Sequence, residues 1–407
     1  MRIKLTALTM ILLLAFISGC GMPGRKKEPI PKIDLIIKNP LSTKRTDAYV
    51  ELKVSDLKKF APDFYQKTFI ILDNEANKEI PYQLDDMDND GEGDEIAMVV
   101  DMEPMGQKKI MIRYSPETPE SRPVTLGHTR RTRAAIHPEY QGIGWESELV
   151  GYRLYPDSRN SISVLGKQSP GLSLDTYALR MADAKTKITK VLDGGDSIGC
   201  GGFGIWDGKE PMKPKDCRTY TRIIADGPIR SVAQVIFDGW SVGDQTLRIT
   251  STYFIYAGQR WSKANIMVKG ADHSIKIACG LTKSKLAELT KNDSEGFFYT
   301  YGKQSRLNPP DNLGLALIYP NDRFDSFHGD GNAGSYLVAL NCPADSGLSY
   351  WFMSAWERGE LGAKDSSSFA EMVSSAAGNI KEPLTVTIIT PKPNESGVVQ
   401  QEKGSGS

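Results

Sequence analysis

Ile229-Arg230-Ser231-Val232-Ala233-Gln234-Val235-Ile236-Phe237 and, a short way on, Leu247-Arg248-Ile249-Thr250-Ser251-Thr252-Tyr253-Phe254-Ile255-Tyr256 are the stretches that decide the fold. Both are crowded with β-branched and aromatic residues, which fit a pleated surface and lose rotamer freedom in a helix. Turn residues, Asp238-Gly239 and Gly243-Asp244, stand between them. They read as long strands joined by a turn. The pattern repeats on both sides, at Tyr152 to Tyr155, Arg218 to Ala225, Ala264 to Val268, Ser274 to Cys279, Gly314 to Tyr319 and Thr385 to Ile389. Helical periodicity is confined to short stretches such as Thr282 to Leu289. So much strand is too much for a small sandwich, and residues 130–393 are expected to form one large antiparallel sandwich.

Upstream, Ile33 to Ile37, Ala48 to Val54, Thr68 to Leu72, Glu95 to Asp101 and Lys109 to Tyr114 are shorter strand-like runs. They predict a small β-sandwich over residues 30–115. Residues 116–129, opening Pro116-Glu117-Thr118-Pro119, break both periods and read as a linker. Residues 394–407 are polar and read as a disordered tail. The expected class is all-β, and no repeat of solenoid length is present.

The first twenty residues have the layout of an export signal. A basic start (Arg2, Lys4) precedes an apolar run from Leu5 to Ile17, then Ser18-Gly19-Cys20. The run is shorter than the ~20 residues that span a bilayer. Its Ile17-Ser18-Gly19-Cys20 ending resembles a bacterial lipobox, which implies cleavage before Cys20 and a lipid on its thiol. Residues 21–29 then read as a polar tether. The expectation is an exported lipoprotein of a Gram-negative bacterium, facing the periplasm by default, with the cell surface open.

Fifty basic residues balance fifty acidic ones, so no overall field draws nucleic acid. Four cysteines follow Cys20, namely Cys200, Cys217, Cys279 and Cys342. Cys200 and Cys217 flank a Gly- and Pro-rich stretch; a disulfide between them and two unpaired thiols are both open.

Asp86-Met87-Asp88-Asn89-Asp90-Gly91-Glu92-Gly93-Asp94 alternates carboxylates with spacers. Calcium takes six to eight oxygens in a flexible cage, and Asp86, Asp88, Asp90 and Asp94 could supply several. Position twelve from Asp86 is Ala97 instead of the bidentate Glu of an EF-hand, so any ion would staple a hairpin. A solvated turn without an ion is the alternative.

No nucleotide fingerprint, nucleophile elbow or zinc motif occurs. Gly199-Cys200-Gly201-Gly202-Phe203-Gly204 reads as backbone passing close to another backbone. The large region offers aromatic and cationic groups instead. In a strand over Tyr152 to Tyr155, Arg153 and Tyr155 share a face. An arginine fork beside rings can grip a sugar carboxylate while a ring packs on the pyranose. Arg153, Arg222, Trp145, Glu146, Trp206 and Trp240 are the candidate substrate-binding residues. Histidine is scarce, at His128, His137, His273 and His328. His328 and His137, with Tyr155 and Tyr220, are the candidate catalytic groups. Ordinary packing or a satisfied ion pair is the competing account of each.

Trp145-Glu146-Ser147-Glu148 through Gly151-Tyr152-Arg153-Leu154-Tyr155, Gly199 to Ile205, and the acidic loop with Asp94-Glu95 resemble the family of exported bacterial proteins numbered 4861 among domains of unknown function. The chain departs from that pattern at Ser147-Glu148. The resemblance implies a galactose-mutarotase-like supersandwich and an association with uronate-containing glycans such as ulvan. A related member is understood to dehydrate the terminal uronic acid of an oligosaccharide. The classes this leaves are a β-eliminating dehydratase or lyase on acidic oligosaccharides, a non-catalytic glycan-binding lipoprotein, and a sugar epimerase or mutarotase.

Overall fold

The computed structural model describes residues 30–115, 128–137, 142–175, 188–329 and 334–389. Cys20, the tether, most of the linker and the tail lie outside the described residues. Among those described, no helix is long and apolar enough to cross a membrane.

The fold is all-β and antiparallel. In the small unit, one sheet runs in the order Thr385–Ile389, Lys32–Lys38, Gln107–Tyr114, Phe69–Asp73, Lys78–Glu79. The other runs Arg45–Lys53, Glu95–Met102, Tyr82–Asp85. Side chains alternate across a strand, so Ile33, Leu35 and Ile37 all turn inward to meet Ile71, Ile96, Met98, Ile110 and Ile112. One boundary expected from sequence moves. Thr385–Ile389 lies in the tail of the large region by sequence but pairs along Asp34–Lys38 in the small unit. Its Val386 and Ile388 pack on the small core, a long-range contact that local pattern does not encode.

The large unit has two layers. One is an eight-stranded sheet, Arg218–Asp226, Arg230–Val242, Gln245–Tyr256, Trp261–Lys269, Gly347–Trp356, Asn312–Ile318, Phe297–Lys303, Ala287–Asn292. The opposing layer joins two five-stranded sheets. The first is Ile188–Leu192, Ser161–Lys167, Gly151–Tyr155, Gly142–Ser147, Thr132–His137, and the second is Pro211–Met212, Cys200–Trp206, Ile275–Thr282, Ser335–Cys342, Phe324–His328. They meet where Gly199 bridges Ile162. A side chain on Gly199 would sit 2.1 Å from the Ile162 carbonyl oxygen, so the glycine is what lets the sheets join. The close approach expected of residues 199–204 is present, although Cys200–Trp206 is a strand.

Two local readings are corrected. Thr282 to Leu289 is not a helix; Thr282 ends one strand and Ala287–Asn292 is an edge strand, because pairing with Phe297–Lys303 outweighs local propensity. The long helix is Ser366–Lys381, capped by Asp365 and burying Phe369, Val373, Ala376 and Ala377 against the eight-stranded sheet. Cys200 and Cys217 form no disulfide. Cys200 is fully buried, its thiol directed at the Met353 carbonyl in the core.

The units are locked together by buried charge. Arg230 has no exposed side-chain surface and pairs with Asp85, Glu51 (2.9 Å) and Glu95 (2.9 Å) of the small unit. Burial opposes its charge, but Tyr256 and the three carboxylates hold its pKa well above the ordinary arginine range. Gln83 accepts from the backbone N–H groups of Ile229 and Arg230 and donates to the Arg230 carbonyl. Arg131 forks onto Asp47 at 2.6 and 2.7 Å, and Arg45 donates to the carbonyls of Asn379 and Glu382. Removing one member of such a network strands the others in a low dielectric. Arg230→Met is therefore expected to lower stability by ~3–5 kcal/mol in chemical denaturation. A denaturation midpoint equal to wild type would show that the seam does not depend on it.

Candidate functional site

Along Gly151–Tyr155, Tyr152 and Leu154 enter the core, so Arg153 and Tyr155 stand on the opposite face. The shared face read from the sequence is the one observed. Arg153 lies across the neighbouring strand at Gly142, where a Cβ would be 2.8 Å from its Nε; only a residue without a side chain leaves that room. The Arg153 guanidinium is 4.6 Å from the centre of the Tyr155 ring, and that of Arg159 is 3.9 Å from it. Lys190 Nζ donates to the Tyr155 hydroxyl at 3.4 Å. His137 is the last residue of Thr132–His137 and pairs with Gly142, which puts it two strands from Tyr155 on the same sheet. Its side chain lies outside the described residues.

Carboxylates brace this cluster. Asp157 holds Arg159 (2.5 Å), and Asp193 holds Lys190 (2.7 Å) and Arg306 (2.9 Å). Burial works to raise both carboxyl pKa values, and hydrogen bonds and charge from the paired cations overcome it, so both lie below the usual range. Among the described residues, Asp157 and Asp193 thus brace three cations around the Tyr155 ring, which, like Arg153, is itself buried. The arrangement suits an anion, with a phenol held beside it.

Arg159 is also a wall of an adjoining cleft of about 600 Å³ that carries Lys209, Lys213 and Lys215 against Asp196 and Glu210. Lys213 donates to the carbonyls of Asp196 (2.6 Å) and Ser197 (3.1 Å), and burial lowers its pKa. Beyond Met212 lies a second cleft of about 580 Å³, lined by Trp206, Asp244, Asp272, His273 and Lys276. Trp206 also meets His328, three strands away in the same sheet, with ring centres 4.1 Å apart.

The remaining sequence candidates go elsewhere. Trp145 is fully buried, stacked on Tyr253 at 4.7 Å and donating to Ser262, so it is a core residue and not part of a cleft. Trp240 likewise packs on Phe203 and Phe237 in the core. Glu146 is sealed from solvent, pairing with Lys167 and accepting from the N–H groups of Ser173 and Leu174. Trp145 and Trp240 owe their burial to the facing layer, and Glu146, on the other face of its strand, to the segment at Ser173 and Leu174; neither cover shows in the sequence. Tyr220 and Arg222 are exposed on an edge strand of the eight-stranded sheet, with Arg222 donating to Gln234. They face away from the core between the layers, on the far side of the molecule from Tyr155, and so cannot join Arg153. His328 is in the second five-stranded sheet, where it meets Ser326 Oγ at 2.9 Å. His128 sits edge-on to Tyr82, and His273 is exposed beside Gln245. Lys190, Asp193 and Arg306 were not picked from the sequence. Lys190 and Asp193 carried a weak signal, charge on and just after an otherwise apolar strand, whereas Arg306 is in a loop with none.

In the acidic hairpin the carboxylates of Asp86, Asp88 and Asp94 approach within 4.8 Å of one another. Asp90 is not in that group; it accepts the Glu92 N–H. Asp86 accepts the N–H groups of Asn89, Asp90 and Gly91, and Asp94 accepts those of Met87 and Asp88.

A small β-sandwich fixed to a two-layer antiparallel supersandwich, with a cationic cleft at Arg159, defines the class. The model of the family described as Domain of unknown function (DUF4861) matches residues 37–386, and the chain belongs to that family. Among solved structures the fold is similar to a protein in glycosyl hydrolase family 38 from Enterococcus faecalis, with TM-score 0.51 and 10% identity over 88% of this chain. It is also similar to an alpha-mannosidase from Enterococcus faecalis V583, with TM-score 0.50 and 9% identity over 88% of this chain. The chain spans about half of each, 47% and 46%. No curated protein matches the sequence.

Proposed function

We propose that this protein is a carbohydrate-active, β-eliminating enzyme, a dehydratase or lyase, on oligosaccharides that carry a uronic acid. The observation that carries the proposal is the meeting of Arg153, Tyr155, Arg159 and Lys190 on one sheet face. The names of the structural neighbours, a family 38 protein and a mannosidase, support a carbohydrate ligand.

The chemistry follows from those groups. Arg153 neutralises the C6 carboxylate, which makes the C5 proton acidic enough to leave. A base takes that proton; the C5–H electrons form the C4–C5 double bond, and the C4–O bond breaks. The departing oxygen takes a proton and leaves as water or as a sugar hydroxyl. Tyr155, with Lys190 on its hydroxyl, is the candidate for proton transfer, and His137, two strands away on the same sheet, is its candidate partner. Positioned proton transfer is worth ~10²–10⁴-fold. Tyr155→Phe is expected to lower kcat by about that factor, while Arg153→Lys chiefly raises KM because the planar fork is lost. Both are read from the ultraviolet absorbance of the unsaturated uronate. If the full-length protein gives no such absorbance on ulvan, pectin, alginate or glycosaminoglycan fragments, and yet binds them, the binding-lipoprotein reading replaces this one.

Two further parts of the proposal lie outside the cleft. The hairpin's donor set is all carboxylate oxygen, which fits a hard cation such as calcium. Asp86, Asp88 and Asp94 would hold the ion, and its role would be to stiffen the hairpin. Calcium should then raise Tm, a chelator should reverse the rise, and Asp88→Asn should abolish it; equal Tm with and without calcium sinks the idea. The body is held at a membrane by a lipid on Cys20. Cys20→Ser should move the protein from the membrane to the soluble fraction, and continued membrane association would rule the lipid out.

A further inference from the structure

Trp206 ends the strand Cys200–Trp206 and is half-buried. The His328 ring stacks on its indole at 4.1 Å and 29° between planes. His328 is fixed by Ser326 Oγ at 2.9 Å, Ser326 donates to Asp325 at 2.8 Å, and Asp325 pairs with Lys276 at 2.9 Å. A chain of bonds thus braces the indole from one side, while the ring lines the 580 Å³ cleft. A fixed aromatic wall in an open cleft loses little freedom when a ligand arrives.

Charge separates this cleft from its neighbour. The Arg159 cleft carries four cations against Asp196 and Glu210. The Trp206 cleft carries Asp207, Asp244 and Asp272 against Lys276. Only Met212 lines both. Like charge a few ångströms apart is disfavoured, so the cleft that suits a carboxylate and the one that repels it stand side by side.

We propose that the Trp206 cleft is a separate subsite for an uncharged pyranose. The apolar face of the sugar packs on the indole, and its hydroxyls donate to Asp244, Asp272 and the free oxygen of Asp207. Asp207 Oδ1 already accepts the N–H groups of Lys209 and Glu210 at 2.7 Å, which fixes the carboxylate and leaves Oδ2 for a ligand. The Gln245 amide, on the same wall, accepts the Asp272 N–H at 3.3 Å and keeps that loop in place. A glycan lying across both clefts would then place an acidic residue beside Arg159 and a neutral one on Trp206. The subsite stands on this cleft's geometry and does not require elimination at Tyr155.

Tryptophan fluorescence and calorimetric titration of the full-length protein test it. The probes are neutral tetrasaccharides (cellotetraose, mannotetraose, galactotetraose) and tetragalacturonate. At least one neutral probe is expected to bind, with affinity falling tenfold or more in Trp206→Ala and recovering in Trp206→Phe. Asp272→Asn should weaken the same probe and leaves the aromatic wall intact should Trp206→Ala fail to fold. The proposal is overturned if no neutral probe binds, if Trp206→Ala binds as wild type, or if tetragalacturonate alone responds to loss of Trp206. Neutral binding, together with no unsaturated product from the uronate fragments named above, would refute elimination and leave this subsite standing.

Discussion

Arg230 is the point on which the molecule turns. Its guanidinium is fully buried between a long strand of the large unit and three carboxylates of the small one. Desolvating an arginine costs several kcal/mol, and only a complete set of partners offsets it. Asp85 and Glu95 stand at the two ends of the acidic hairpin, so the hairpin's base is pinned by the same contact. Gln83 ties the backbone at Ile229 and Arg230, and Tyr49 packs tilted against Tyr256 at 4.8 Å beside it. The small unit is thereby seated in one orientation, and its first strand is placed where Thr385–Ile389 can return to it.

With that seam fixed, the large unit's five-stranded layer carries the polar work. Its inner positions supply Trp145, Tyr152 and Phe203 to the shared core, which keeps the strands rigid beneath the site. The alternate positions are free to hold Arg153 and Tyr155. Glycine makes the surface usable: at Gly142 the guanidinium crosses the strand, and at Gly199 two sheets join into one layer. The joined layer is wide enough to carry the Tyr155 cluster and both clefts, with Arg159 shared between the first two.

The placement of charge follows the same economy. Arg159, Lys190 and Arg306 are each held by Asp157 or Asp193, so the cluster around Tyr155 stays ordered, and the adjoining Arg159 cleft carries a positive excess. Around Trp206 the excess is reversed. Side by side, the two clefts therefore present opposite charge, one favouring an anion and the other disfavouring it.

What the sequence determined by itself was whatever is encoded locally. Alternation and β-branching gave the strands, the all-β class and the shared face of Arg153 and Tyr155, because a strand's period of two holds wherever the strand lies. The glycines of residues 199–204 announced a close approach for an equally local reason, the missing Cβ. Tertiary structure decided everything that depends on what faces a residue. Trp145, Glu146 and Trp240 have the composition of a sugar site but are covered, the tryptophans by the opposite layer and Glu146 by the segment at Ser173 and Leu174. Tyr220 and Arg222 have the right chemistry on the wrong sheet. Lys190 and Arg306 reach the site from segments far apart in sequence, through Asp193. Local pattern fixes which way a side chain points along its own strand; only the packed fold determines what it meets there.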